Sequence, residues 1–197
     1  MKYLKMLSLA AVAAMALFAV VGASAASATT LSVGGVTQNK SVSIAASLLP
    51  GTSALLVDTA GTTLDTCTNL EFKVATEGSF TGASVGGKVS TMTFGGCSHT
   101  TKVIAPGSLS IAWTSGTNGT VTSSGAETTI QSTVFGVSAI CKTGAGTDLG
   151  TLTGVASGNS TLHIDFTKSL DCGAFLGKTS MTGTYRLTSP SGLGVES

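Results

Sequence analysis

The chain has 197 residues, of which 42% are hydrophobic and only 10% carry a charge. Ten basic residues nearly balance nine acidic ones, so we expect no basic surface of the kind that neutralises nucleic-acid phosphates. The low charge also weakens repulsion between copies and favours association. A chain of this length is long enough to bury one hydrophobic core.

The amino terminus has the organisation of a secretory signal peptide. Lys2 and Lys5 give a positive n-region, and residues 6–21 form an apolar run of about 16 residues that small residues follow. This run is shorter than the ~20 residues of a membrane-spanning helix, so an uncleaved anchor is the weaker alternative. We expect residues 1–28 to be removed and the chain to be exported to the cell surface or extracellular space.

Two A-x-A sites set the predicted start of the mature chain. The sites end at Ala25 and Ala28, which predicts a first residue at Ala26 or Thr29. Loss of the two leader lysines leaves eight basic and nine acidic residues, a net charge near −1. We expect residues 29–197 to form a single domain.

Four cysteines follow the leader, namely Cys67, Cys97, Cys141 and Cys172. In an exported chain an even number of cysteines indicates disulfides, and four allow three pairings. The spacing favours Cys67–Cys97 and Cys141–Cys172, because each pair then closes a loop of about thirty residues within one sub-sheet. Within each pair we expect Cα atoms about 4.4–6.8 Å apart. A zinc site is the alternative, but no C-x-x-C spacing occurs and the chain has two histidines.

Apolar residues alternate with polar ones along most of the chain, as they do in half-buried strands. The alternating positions, in chain order, are Leu70, Phe72, Val74, Met92, Phe94, Leu109, Ile111, Trp113, Leu162, Ile164, Phe166, Met181, Tyr185 and Leu187. We expect most of these side chains, Trp113 included, to lie in the core. Between Ile130 and Cys141 the apolar register shifts, which predicts a bulge or a fully buried strand.

Segments rich in glycine, serine and threonine separate the alternating runs and mark turns. They include residues 77–87, 114–119 and 156–160, with Pro50 and Pro106 as further breaks. About ten antiparallel strands at this spacing predict an all-β fold, a single β-sandwich or jelly-roll-like domain.

A glycine-rich segment after residue 141 invites a functional interpretation. Gly144, Gly146 and Gly150 form G-x-G-x-x-x-G directly after an apolar run. A dinucleotide loop requires a helix after it, whereas residues 151–166 alternate as a strand does. One carboxylate, Asp148, is too few for a calcium site. We predict a hairpin connection whose glycines permit positive φ.

Candidate chemical residues are few. His163 and Asp165 lie two apart on a predicted strand and could face one side as a metal or acid–base pair, although surface positions are the favoured interpretation. His99 follows Cys97 in a predicted turn, where exposure is expected. Glu71 and Glu77 lack the partner motif of a two-carboxylate glycosidase.

No G-x-S-x-G elbow supports a serine hydrolase. We therefore predict no catalytic, cofactor-binding or metal-binding residue and no cofactor. Only the four cysteines receive a role.

Three segments carry a resemblance. The segments 64–70 ("LDTCTNL"), 135–154 ("FGVSAIC…GAGTDLGTLTG") and 182–190 ("TGTYRLTSP") resemble parts of a group of small secreted bacterial β-rich proteins of unknown function. The resemblance covers most of the mature chain and implies an exported β-rich protein, without an activity or a ligand. The "TMTFGGC" motif, residues 91–97, is also similar to strand ends of fimbrial subunits, whereas "IDFTKSLDC" departs from that pattern.

The sequence favours a non-enzymatic secreted protein, structural or adhesive at the bacterial cell surface or in its matrix. The alternatives are a secreted binding module for a small apolar or glycan ligand and, with less support, a secreted hydrolase. Self-association or a surface partner would use exposed edge strands, which another chain can complete. The segment Leu31–Leu49, with Val42 and Ile44 alternating, is the candidate donor strand, although it also suits an ordinary first strand of the same domain.

Overall fold

The computed structural model describes residues 28–78, 80, 82–131 and 138–197. Nearly all of the predicted signal peptide therefore lies outside the described residues, as do Val134, Phe135 and Val137 of the predicted register shift. The elements in chain order are β1 (Thr30–Val33), β2 (Val36–Thr37), β3 (Ser43–Leu48), β4 (Ala54–Val57), β5 (Thr63–Thr76), β6 (Val85–Cys97), β7 (Thr100–Ala105), β8 (Ser108–Ser115), β9 (Asn118–Ser124), β10 (Glu127–Gln131), β11 (Ser138–Lys142), β12 (Thr147–Thr153), β13 (Thr161–Asp171), α1 (Gly173–Leu176), β14 (Lys178–Ser189) and β15 (Leu193–Glu196).

The chain is all-β, as the sequence predicts, but its architecture is a closed barrel. Antiparallel pairing runs through eight strands in the order β3, β5, β6, β8, β9, β12, β13 and β14, and β14 pairs back with β3 to close the ring. The predicted β-sandwich or jelly roll is therefore replaced by a barrel with additional strands. Closure depends on the pairing of β14 with β3, two strands far apart in the sequence, which local alternation does not predict.

Four short strands extend this ring at one end. β11 and β12 both pair antiparallel with β13, so they run in the same direction and together occupy one strand position of the barrel. In the same way β4 continues β3 along β5. β10 pairs antiparallel with β11, just as β9 pairs with β12, so β10 continues β9 in the same direction. β7 pairs antiparallel with β10, just as β8 pairs with β9, so β7 and β8 also share one direction. We call the three adjacent split positions, β7/β8, β9/β10 and β11/β12, the interrupted wall.

A small second sheet covers one end of the barrel. β1 pairs with β15 on one side and with β2 on the other, which brings the two ends of the domain together. Leu31, Leu193 and Val195 are fully buried beneath this sheet. The Val195 amide donates to the Thr117 carbonyl at the β8–β9 turn. We call this the lid end.

The segment Leu31–Leu49 is paired within its own chain. β1 lies in the lid, and β3 lies between β14 and β5, so both of its edges are paired. Val42 and Ile44 are buried in the main core. In this structure the segment is an integral part of the domain. No helix among the described residues is long and apolar enough to cross a membrane.

Side chains alternate between the barrel interior and its surface, as the sequence pattern predicts. Leu70, Phe72 and Val74 on β5 are buried, and so are Leu162 and Ile164 on β13. The Phe166 side chain lies outside the described part. The residues at which the sequence predicts the register shift lie outside the described part, so the predicted bulge stays a prediction. On either side of them β10 and β11 pair antiparallel, with Ile130 opposite Ala139, and the exposed Ile140 shows that the segment is not a fully buried strand.

Trp113 is not a core residue. It keeps 38% of its surface exposed, although it has the same parity as the inward-facing Leu109 and Ile111. Its indole Nε1–H donates to the Gly116 carbonyl across the turn at 2.9 Å. The apolar alternation therefore continues almost to the end of β8, where Trp113 is partly exposed instead of enclosed in the barrel.

Both disulfides favoured by the cysteine spacing are present at the end opposite the lid. Cys67 and Cys97 are register partners on β5 and β6, and Cys141 of β11 joins Cys172 just after β13. The Cα separations are 3.9 and 3.8 Å, slightly shorter than the expected range. Each bridge joins neighbouring strands, as predicted, but both lie in one barrel instead of in two separate sub-sheets. Such bridges are typical of proteins that fold in an oxidising compartment.

Candidate functional site: the barrel interior

The interior of the barrel contains an apolar cavity of about 90 Å³. An apolar cavity of about 150 Å³ in a protein core stays dry and binds benzene or xenon, so this volume suits a smaller molecule. Its walls come from inward-facing residues of both the long strands and the interrupted wall. The lining residues are Leu70, Phe72, Val89, Met92, Phe94, Pro106, Leu109, Ser123, Ala126, Thr128, Cys141, Thr143, Leu149, Leu162, Ile164, Leu170 and Met181.

Two smaller cavities adjoin this one along the barrel. A cavity of about 30 Å³ towards the lid shares Phe72, Leu109 and Leu162 with it. A cavity of about 40 Å³ towards the disulfides shares Phe94 and Met181. The barrel is therefore loosely filled along its length, whereas most protein cores contain few voids larger than a water molecule.

The interrupted wall forms one side of the cavity. Pro106, Ala126 and Thr143 line it, and each lies in the break between the two halves of a split strand. Gly107 follows Pro106 at φ 71°, with Ala126 and Ser124 so close that a Cβ atom would lie 2.6 Å from the backbone of each. The breaks of neighbouring strands therefore pack against one another, and only glycine fits at this contact.

Two buried hydroxyl groups hold these breaks together beside the cavity. Ser123 Oγ and Thr143 Oγ1 lie 3.2 Å apart, and the residues are 3% and 7% exposed. Thr143 Oγ1 also accepts the Ala126 amide at 3.0 Å, while the Thr143 amide donates to the Ala126 carbonyl. The pair is thus a polar point in a wall that is otherwise mostly apolar.

The wall is incomplete between β6 and β7. All residues of these two strands are described, and no strand pairing joins them beyond the turn at Ser98 and His99. Met92 and Phe94 of β6 line the cavity and are only half-buried. At this gap the cavity wall is therefore formed by side chains that are partly exposed to solvent.

A buried carboxylate lies at the disulfide end of the interior. Asp65 is 4% exposed and accepts four hydrogen bonds. The donors are the Thr66 amide at 2.9 Å, the Ser98 hydroxyl at 2.7 Å, the His99 amide at 3.0 Å and the Thr101 hydroxyl at 2.7 Å. These bonds fasten the β6–β7 turn to β5. Because its lone pairs are engaged, Asp65 has a structural role, as expected of a buried charge that is well paired.

This carboxylate does not complete a reactive site. Its nearest sulfur atoms belong to Cys67 and Cys97, which are bonded to each other and so offer no thiolate to a metal. His99 Nδ1 lies 3.7 Å from the carboxylate, too far for a hydrogen bond. Ser98 donates directly to Asp65, so no histidine lies between them as a general base would.

The residues weighed from the sequence do not converge. His163 and Asp165 are exposed on the outer face of β13, where Thr184 and Thr167 are their respective side-chain partners at 3.1 and 3.2 Å. Glu71 and Glu77 are exposed as well.

The glycine-rich segment joins β11 to β12, which run in the same direction, so the predicted hairpin connection is wrong. Gly146 has a positive φ of 63°, as predicted, and Gly150 pairs in β12. The segment therefore interrupts one strand position of the barrel, between β11 and β12.

Tyr185 contrasts with the paired hydroxyls. Its ring is fully buried and meets Phe72 edge to face, with centroids 5.9 Å apart. Burial raises the pKa of the phenol well above its ordinary value. The phenolic oxygen has no hydrogen-bond partner among the described residues, which makes it a polar atom held in an apolar core.

Comparisons with protein-family models, with curated proteins and with solved structures find no match for this chain. The interior cavity, the Ser123–Thr143 pair and Asp65 are therefore interpreted from their own geometry. None of the three is predicted from the sequence, since Ser and Thr are too frequent in this chain to stand out singly. Asp65 does carry a signal, because it lies two residues before Cys67, a cysteine of a predicted disulfide.

Proposed function

We propose that the protein is a non-enzymatic, exported barrel that binds a small apolar molecule in its interior. The observation that carries this proposal is the apolar cavity of about 90 Å³, which smaller voids extend towards both ends. Eight-stranded barrels have an interior just wide enough either to be filled by side chains or to hold one small ligand. Binding pockets are mostly apolar with a few polar groups, and this cavity has that composition.

Binding is favoured here over a structural or adhesive role. A structural or adhesive role would require strand edges open to another chain. In the half of the barrel nearer the lid, each of the eight ring strands is paired on both sides. The same consideration weakens self-association by strand addition, which stays a prediction. A hydrolytic role has less support, because the titratable residues of the described part do not gather around the cavity. Export is part of the proposal, and the two disulfides are consistent with it.

The test is a titration of the exported, processed protein with 2-methylpropene, an apolar molecule smaller than benzene, followed by the methyl NMR signals of leucine and isoleucine. We expect saturable shifts confined to cavity residues such as Leu149, Leu162 and Ile164. The variant Val89→Met fills the cavity from β6 and should abolish the shifts. Ser90→Met places the same side chain on the exposed face of the same strand and should preserve them. Absence of saturable shifts in the wild type would refute the proposal.

A further inference from the structure

The Ser123–Thr143 pair contains a proton that its own geometry does not use. Two hydroxyl groups have two protons, and the bond between Ser123 Oγ and Thr143 Oγ1 engages one of them whichever group donates. Thr143 Oγ1 receives its second bond from the Ala126 amide, which adds a donor and no acceptor. Among the described residues no further acceptor is bonded to either hydroxyl.

The surroundings make this spare proton significant. Both residues are more than nine-tenths buried, and both line the apolar cavity. A buried hydroxyl donor without an acceptor costs about 1–3 kcal/mol, so native structures rarely leave one unused. The third hydroxyl-bearing residue of the described lining, Thr128, is half-buried on β10 and forms no hydrogen bond with the pair.

We propose that the ligand of this cavity is a small apolar molecule with one acceptor oxygen, such as a ketone or an ether, and that this oxygen accepts the spare hydroxyl proton of the Ser123–Thr143 pair. This inference rests on the proposed binding function and adds the chemical class of the ligand. The apolar lining holds the carbon skeleton, and the hydroxyl pair fixes its orientation. A charged ligand is disfavoured because no Asp, Glu, Lys, Arg or His occurs among the described residues that line the cavity.

The experiment compares two probes of nearly equal shape, both smaller than benzene: acetone and 2-methylpropene, in which a methylene group replaces the carbonyl oxygen. Affinities are measured by NMR titration of the exported protein and of the double variant Ser123→Ala/Thr143→Val, which removes both hydroxyls. Acetone should bind the double variant about three- to tenfold more weakly, the effect of losing one neutral hydrogen bond. The hydrocarbon 2-methylpropene should bind it as well as before, or better. The control Thr151→Val, on the exposed face of β12 and outside the cavity lining, should leave both affinities unchanged.

A second measurement on the wild type keeps the proposal testable if the double variant does not fold, since it leaves the Ala126 amide without its acceptor. The carbonyl stretching band of bound acetone should lie at a lower frequency than in an alkane solvent. A band at the alkane position, or an equal loss of affinity for both probes, would overturn the acceptor assignment while leaving apolar binding intact. Failure of both probes to bind the wild type would overturn the binding function as well.

Discussion

The long strands and the interrupted wall build the same barrel in different ways. β5, β6, β13 and β14 run through 11 to 14 residues each, whereas the three positions of the interrupted wall are split into strands of five to eight residues. Along the long strands, large aliphatic and aromatic side chains point inward. At the breaks, small residues, a proline and two hydroxyls take their place. The cavity lies between these two surfaces.

The difference shows how a barrel can keep a cavity without losing its closure. A break turns the backbone and removes the regular pairing between neighbouring strands. Contacts specific to the break must therefore hold the wall together. Here the Thr143 side chain and the contact at Gly107 supply them. The long strands provide the continuous pairing that holds the ring, and the breaks provide the space inside it.

The largest expected effect is the loss of stability on removing a disulfide. One bridge joins two long strands, and the other joins the interrupted wall to the end of β13, so the two losses compare the two regions. The bridges span 30 and 31 residues, so loop closure alone assigns about 3–4 kcal/mol to each. Cys67 and Cys97 join strands that already share a long ladder, whereas among the described residues β11 and β13 share one register pair, Lys142 with Asp171. Replacing Cys141 and Cys172 by alanine should therefore lower the free energy of unfolding more than replacing Cys67 and Cys97.

Urea denaturation of the two double variants measures this difference. Equal losses would mean that the interrupted wall does not depend on its bridge. A larger loss for Cys67 and Cys97 would reverse the comparison.

The second prediction concerns the packing of the breaks against one another. Gly107 and Gly125 have similar positive φ, 71° and 67°, but only at Gly107 would a Cβ atom collide with neighbouring backbone. Gly125→Ala should cost about 1 kcal/mol from backbone strain alone. Gly107→Ala should cost about 3 kcal/mol, because strain and collision add. The control substitution has open space around it, so the difference between the two unfolding free energies isolates the contact.

The third prediction concerns two variants, each lacking one interior hydroxyl, from the interrupted wall in one and from a long strand in the other. We expect their free energies of unfolding to change in opposite directions. Thr143→Val deprives the Ala126 amide of its side-chain acceptor and should destabilise the protein by about 1–2 kcal/mol. Tyr185→Phe deletes an oxygen without a partner among the described residues and should stabilise it by about 0.5–1 kcal/mol. Thermal or urea unfolding gives both values. Destabilisation by Tyr185→Phe would show that the phenol has a partner, such as a bound water.

The fourth and smallest prediction is the pH dependence of Tyr185, the only tyrosine after the leader. Burial raises its pKa in the folded state, while the unfolded chain ionises at the ordinary pKa of 10.0. The folded state keeps its proton above that pH, so the stability contribution is full below pH 10 and falls as pH rises further. Between pH 10 and 11 the wild type should lose about 1 kcal/mol more than Tyr185→Phe. Parallel losses in the two proteins would indicate an exposed phenol.

The sequence predicts what depends on local pattern and on spacing. Leu70, Phe72 and Val74 are buried as their alternation indicates, and the two nearly equal cysteine intervals predict the observed bridges. His163 and Asp165 are surface residues, as the favoured interpretation had it. These features need only neighbouring residues on one strand or a loop of known length.

The remaining features depend on contacts between distant segments. Pro106 and the glycines at 144 and 146 mark breaks correctly, but a break that reverses the chain and one that merely bends a strand have the same composition. Barrel closure needs β3 to meet β14, more than a hundred residues later. Ser123 and Thr143 become a pair only once β9 and β12 are neighbours, so their sequence positions carry no signal.

The measurement that tests the central claim most directly is a crystal structure of the exported protein under xenon pressure. Xenon is apolar and fits a cavity smaller than one that holds benzene. We expect a xenon atom in the interior, in contact with Leu70, Leu149 and Leu162, and no such atom in Val89→Met. A wild-type interior without xenon, filled by its own side chains, would contradict the claim that the barrel holds a binding cavity.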